Sequence, residues 1–166
     1  MVFLETERLQ LRKLTLNDAP FVHKLMNTEG WLQFIGDRSI HTIKDAEAYI
    51  EKNYLSSYAK HGYGPYLVEL REGGAPIGSC GLYMRNNLDY PDVGYAFLPE
   101  YGGKGYASEA AIEVMAFAEK LGLTKILGIT DKNNTASIRL LEKLGLSEIG
   151  TYTFTDETEA VLLFSN

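Results

Sequence analysis

A chain of 166 residues fits one folded domain and can bury a sizeable core. Its formal net charge of −6 argues against a nucleic-acid partner held through phosphates, and it is compatible with a cationic amine substrate. Cys80 is the only cysteine, which excludes an intrachain disulfide and a cysteine-based metal site.

Cys80 lies in the apolar run from Ile77 to Leu82 and reads as a core thiol rather than a nucleophile. His23, His41 and His61 have no ligand spacing between them, so no metal is expected. No basic segment followed by an apolar one opens the chain, and no run is long enough to span a membrane. These features set the expectation of a cytoplasmic protein, a monomer or homodimer, with neither membrane nor nucleic acid as partner.

In chain order, Leu9 and Leu11 alternate with Arg8, Gln10 and Arg12, the period-2 pattern of a half-buried strand. Asn17 reads as the cap of a short helix with Phe21, Val22 and Leu25 on its apolar face. Trp31 to Ser39 reads as irregular. Thr42 caps a longer helix that runs to about Lys60 and ends at Gly62. Its tyrosines, Tyr49, Tyr54 and Tyr58, and the following Tyr63 and Tyr66 either pack on a sheet or, with Trp31 and Phe34, line an aromatic acceptor cleft.

Pro65 to Arg71 and Pro76 to Tyr83 form a hairpin around Glu72-Gly73-Gly74-Ala75. Arg85 to Pro91 is a loop and Val93 to Leu98 a strand. Ala107 to Leu121 is an amphipathic helix with Ala107, Ala110, Ala111, Val114, Met115 and Ala118 on one face, ended by Gly122. Lys125 to Thr130 is a short strand, and Asn133-Asn134 open a helix closed by Gly145. Leu146 to Phe154 and Glu159 to Phe164 pair antiparallel around Thr155-Asp156-Glu157. Without repeat or linker, residues 1–166 read as a single domain of mixed α+β class, with a mostly antiparallel sheet flanked by helices.

Between the strand ending at Leu98 and the helix opening at Ala107 stands Pro99-Glu100-Tyr101-Gly102-Gly103-Lys104-Gly105-Tyr106-Ala107-Ser108. Glycines allow positive φ and close backbone approach, and the first amides of a helix are unpartnered beside a positive dipole end. Such a loop is either an ordinary turn or a phosphate site. It lacks the Gly-Lys-Ser/Thr of a P-loop and the Gly-x-Gly-x-x-Gly of dinucleotide folds.

The stretch resembles the pyrophosphate loop of the GCN5-related N-acetyltransferases, Gln/Arg-x-x-Gly-x-Gly/Ala. Gly105 and Ala107 fall on its last two named positions, and Gly102 stands where Gln or Arg is usual. The segment from Asn134 to Leu146 is similar to the Asn-x-x-Ser…Glu-Lys-x-Gly-Phe of the RimJ/RimL-type branch. The opening Thr6-Glu7-Arg8-Leu9-Gln10-Leu11-Arg12 resembles that branch's first strand.

The resemblance implies the acetyltransferase fold with a splayed central strand pair, and acetyl-CoA as co-substrate. It implies direct attack by a primary amine, either a protein N-terminus or a small molecule. Gly102, Gly103, Lys104, Gly105, Tyr106, Ala107 and Ser108 would hold the pyrophosphate. Phe97 and Leu98 would pair with the pantetheine arm, an amide near Phe97 would stabilise the oxyanion, and Asn134 would order the arm. Many relatives carry a tyrosine where this chain has Leu141. Here Ser137 would hydrogen-bond the CoA sulfur instead. Asp92 is the first candidate for the base that takes the ammonium proton, ahead of Asp89 and Glu69. A competing reading is a non-catalytic acyl-CoA-binding module, which would bind acetyl-CoA without turnover.

Overall fold

The computed structural model describes residues 3–155 and 157–166. Asp156, in the expected turn before the last strand, lies outside the described residues. An eight-stranded sheet carries the fold, in the order β1-β2-β3-β4-β5-β6-β8-β7. The strands are β1 (Leu4–Glu5), β2 (Leu9–Lys13), β3 (Pro65–Leu70), β4 (Pro76–Tyr83), β5 (Asp92–Phe97), β6 (Leu127–Thr130), β7 (Ser147–Tyr152) and β8 (Val161–Ser165). Every pairing is antiparallel except that of β5 with β6. The mixed α+β class read from the sequence is the class observed.

The two faces of the sheet bury separate cores. Helix α5 (Tyr106–Lys120) lays Ala110, Ala111, Val114 and Ala118 on one face, against Leu9, Leu11, Val68 and Cys80. Small side chains there bring the helix close to the strands. On the other face, α1 (Ala19–Met26), α2 (Glu29–Phe34), α3 (Ile43–Tyr49) and α4 (Ser56–His61) cover Leu67, with Val22, Trp31, Ile50 and Tyr54 inward. The alternation of Leu67 against Tyr66 and Val68 on β3 divides the two cores, as a pleated strand requires.

Three local expectations are corrected. The first cap is Thr15, not Asn17; its side chain accepts from the Asn17 amide, and Asp18 completes a capping box. Trp31 to Ser39 is not wholly irregular, because Thr28 caps α2 and Trp31 is buried. The long tyrosine-bearing helix is continuous but shifts to π-helical geometry over Ile50–Leu55. It ends on Gly62 at φ +78°, a left-handed cap. Its rings pack: Tyr54 is buried, and the Tyr58 hydroxyl accepts from the Leu14 amide at 3.1 Å and donates to the Pro65 carbonyl.

Cys80 is fully buried, and burial pushes its thiol well above the ordinary range, as a core residue requires. Among the described residues no helix is long and apolar enough to cross a membrane, and no acidic, histidine or cysteine group could hold a metal ion.

Candidate active site

The site forms where β5 runs into the glycine loop. After Phe97 the chain makes a 3₁₀ turn, Pro99–Tyr101, then passes through Gly103 at φ +73° and Gly105 at φ +82° before α5 begins at Tyr106. Both conformations are open to glycine without strain. Gly105 occupies the N-cap position, so no side chain blocks the free amides of the first turn.

A cavity of about 280 Å³ opens over this turn. Of the residues expected from sequence, Gly102, Gly103, Gly105, Tyr106, Ala107 and Ser108 line it, and so does Phe97. Two basic residues not expected at the cofactor join them, Arg139 and Lys143. They project from α6 (Thr135–Lys143), and their spacing of four residues puts them on one helix face. Lys104 is not in the lining; its Nζ stands 5.8 Å above the Tyr101 ring. Leu98 is corrected as a cofactor residue. Its side chain is buried in the core under α1–α4, its amide donates to the Ile77 carbonyl at 2.9 Å, and its own carbonyl accepts from Tyr101.

Arg8 braces the loop from outside. Its Nη1 donates to the Lys104 carbonyl at 3.0 Å, and its guanidinium lies 4.4 Å from the Tyr106 ring centroid. Glu109, in the first turn of α5, holds it in place at 2.7 Å and also accepts from the Thr6 hydroxyl and the Arg8 amide. Desolvation would raise the Glu109 carboxyl, but these donors outweigh it and hold it below its ordinary value. Sequence periodicity had placed Arg8 only on the outer side of a strand. The distant partner, a hundred residues along, carries no local signal.

Strands β5 and β6 pair only through Asp92 with Leu127 and Val93 with Gly128. From Gly94 onward β5 pairs with no strand on that side among the described residues. On the other side, the bond from the Leu98 amide to Ile77 fixes the antiparallel ladder to β4. Alternation along that ladder turns the amide and carbonyl of Tyr95 and Phe97 away from β4, toward the gap. A cleft with free backbone donors and acceptors therefore leads from the glycine loop into the sheet.

Helix α6 borders this cleft. Asn134 caps it, accepting from the Ser137 amide at 3.2 Å. The Ser137 Oγ lies 2.9 Å from the Tyr95 hydroxyl, which also lies 3.1 Å from the Ser137 carbonyl. Burial raises the Tyr95 phenol to about 12, so it stays protonated in neutral solution. Leu141, where relatives carry a tyrosine, is buried, and a Cβ on Gly128 would come within 2.7 Å of it. The hydroxyl pair at the cleft is thus Tyr95 with Ser137. The alternation that puts Val93, Tyr95 and Phe97 on one face was the available signal for Tyr95.

Asp92 occupies the closed end of the splay, on the opposite face of β5 from Tyr95. It is neither a solvated strand-end carboxylate nor an unpaired one: 2% exposed, it accepts from Arg85 Nε at 2.9 Å. Burial pushes its carboxyl up, and Arg85 opposes that shift. The Arg85 guanidinium sits between the rings of Tyr83 and Phe154, at 5.6 and 5.1 Å. Asn87 accepts from the Tyr152 hydroxyl, so the 85–91 loop is tied to the end of β7. Glu69 is paired with Arg12 at 3.1 Å, and Asp89 is exposed on the same loop as Arg85.

The family model of the acetyltransferase (GNAT) domain matches residues 8–147. The chain belongs to the GNAT acetyltransferase family. This GNAT enzyme is 30% identical over 162 residues to N-acetyltransferase p20 of Bacillus licheniformis, across 90% of the chain and 85% of that protein. It is 28% identical over 144 residues to the spermidine N(1)-acetyltransferase of Escherichia coli K12, across 86% of the chain and 74% of that protein. The fold matches RimL, a ribosomal L7/L12 alpha-N-protein acetyltransferase solved in complex with coenzyme A, with a TM-score of 0.84. That match covers 100% of this chain and 97% of RimL at 15% identity, a likeness of fold alone. The protein is an acetyl-CoA-dependent N-acetyltransferase.

Proposed function

We propose that this enzyme, of RimJ/RimL type, transfers acetyl from acetyl-CoA to a primary amine by direct attack. The carrying observation is the splay: pairing of β5 with β6 stops at Val93, and the free edge that follows runs straight into the glycine loop. A pantetheine arm, with its amides, suits that edge as an added strand would. The αL glycines and the free amides of α5 suit a pyrophosphate, with Arg139 and Lys143 supplying charge that Gly102 does not.

The amine nitrogen attacks the thioester carbonyl carbon, and charge develops on the carbonyl oxygen. The Phe97 amide, turned into the gap by the β4 ladder, is the donor for that oxyanion. On collapse the carbon–sulfur bond breaks, and the thiolate takes a hydrogen bond from Ser137 before leaving to be protonated by solvent. The ammonium proton goes, through water, to Asp92. Its place on the face of β5 away from Ser137 and its upward-pushed carboxyl support that role, while Arg85 works against it.

Two acceptor classes follow from the relatives: a small polyamine, as the name of the spermidine enzyme indicates, and a protein N-terminus, as the RimL name indicates. The net charge of −6 favours a cationic acceptor of either kind. The test is a mass-spectrometric assay with acetyl-CoA against spermidine and against peptides with free N-termini. A mass gain of one acetyl group on either class supports the reading. Binding of acetyl-CoA with no transfer to any amine would reduce the protein to an acyl-CoA-binding module.

A further inference from the structure

We propose that Tyr95 is a positioning residue that sets the direction in which the Ser137 hydroxyl donates. The inference rests on the reading of Ser137 as donor to the CoA sulfur. Ser137 is held at three points: its amide by Asn134 at 3.2 Å, its carbonyl by Tyr95 at 3.1 Å, and its hydroxyl by Tyr95 at 2.9 Å. Each hydroxyl of the pair has one hydrogen to give.

Two arrangements satisfy these distances. In the first, Tyr95 donates to the Ser137 carbonyl and Ser137 donates to the Tyr95 oxygen. The serine hydrogen is then spent inside the pair. In the second, Tyr95 donates to Ser137 Oγ, and the serine hydrogen is released to point elsewhere. A sulfur in the cleft beside Ser137 selects the second arrangement, and the donation from Tyr95 strengthens the serine as a donor in turn. No proton leaves Tyr95; its hydrogen bond changes acceptor. The pair thus stands in for the single tyrosine that Leu141 replaces, with the phenol reaching in from β5 rather than from α6.

A brace and an orienting donor differ in what they do to a ligand with no sulfur. Calorimetric titration with coenzyme A and with its desulfo analogue, in which hydrogen replaces the thiol, separates them. The wild-type enzyme is expected to prefer coenzyme A about tenfold, the worth of one hydrogen bond to a polarisable acceptor. Ser137→Ala erases the preference. Tyr95→Phe, which keeps the ring and its packing, cuts the preference to about threefold, and the double variant equals Ser137→Ala alone. In turnover, Tyr95→Phe lowers kcat about tenfold with the KM for acetyl-CoA unchanged.

If Tyr95→Phe weakens both ligands equally and keeps the full preference, Tyr95 is only a brace and the inference fails. Retention of the preference in Ser137→Ala instead overturns the assignment of Ser137 itself. The two failures are read from different variants.

Discussion

At the scale of single residues, the proposed reaction rests on two hydroxyls and one buried ion pair. Removing the Ser137 hydroxyl should slow turnover by about 10²-fold, the usual worth of one positioned proton donor. Acetyl-CoA affinity should change little, because the proposed hold on the arm is mainly through backbone groups. Stopped-flow and binding measurements on Ser137→Ala check both, and unchanged turnover would remove Ser137 from the mechanism. Asp92 pairs with Arg85, and in the proposed mechanism it is also the base; one variant can separate the two. Asp92→Asn keeps the volume but weakens the contact with Arg85, whose partner is wholly buried. A loss of stability on the order of 3 kcal/mol is expected from thermal unfolding, as for a broken buried pair. If Asp92 is also the base, the alkaline rise in rate disappears in the folded variant. A rise that persists leaves Asp92 as the clasp of the Arg85 loop alone.

At the scale of elements, the glycine loop is shaped from two directions. Its own glycines make the left-handed turns, and β2 sends Arg8 across to brace it. Gly105→Val should abolish tight CoA binding with the fold intact, because a β-branched residue at φ +82° is strained and the new Cβ meets Arg8 Nη2 at 3.4 Å. Calorimetry with CoA, beside a circular-dichroism spectrum, checks the prediction.

The Arg8–Glu109 clasp also predicts a pH effect. The Glu109 carboxyl titrates below its ordinary 4.5 in the fold, so its contribution is present above that value and is lost as pH falls through the depressed one. In Glu109→Gln that acid-side loss of CoA affinity should be absent, with affinity already reduced at neutral pH. Affinity that falls in acid identically in both proteins would assign the effect elsewhere.

At the scale of the whole molecule, the proposed active site is a place where the sheet fails to close. The order of the strands forces β5 and β6 together in parallel, while β8 occupies the far edge of β6 over four residues. Only two residues of β5 find a β6 partner, so the remaining edge is left for a ligand. Hydrogen exchange reads this directly. The amides of Tyr95 and Phe97 should exchange quickly in the free enzyme and slow at least tenfold when CoA is added, while the amide of Ala96, turned into the β4 ladder, is protected in both states. Equal rates with and without CoA would place the pantetheine outside the splay.

Period-2 and helical patterns were enough to determine the α+β class, most of the order of strands and helices, and the glycine loop at the mouth of α5, while the short β1 and α2 escaped them. These are local consequences of where apolar side chains and glycines fall along the chain. The glycine turns and the Asn134 cap were legible for the same reason, since caps and left-handed turns are properties of a few adjacent residues, whereas the role proposed for Ser137 came from the family resemblance. The boundaries near Trp31 were not legible, because burial of that ring against α1 and α3 is a tertiary event.

Tertiary structure alone decided which side chains meet. It set Arg8 against a loop nearly a hundred residues on, and Tyr95 against Ser137 across the open edge. It also withdrew Leu98 into the core, paired Asp92 with Arg85, and turned Arg139 and Lys143 toward the glycine turn. Each is a contact between elements distant in sequence, and contacts of that kind are fixed by sheet order and packing, which no local pattern encodes.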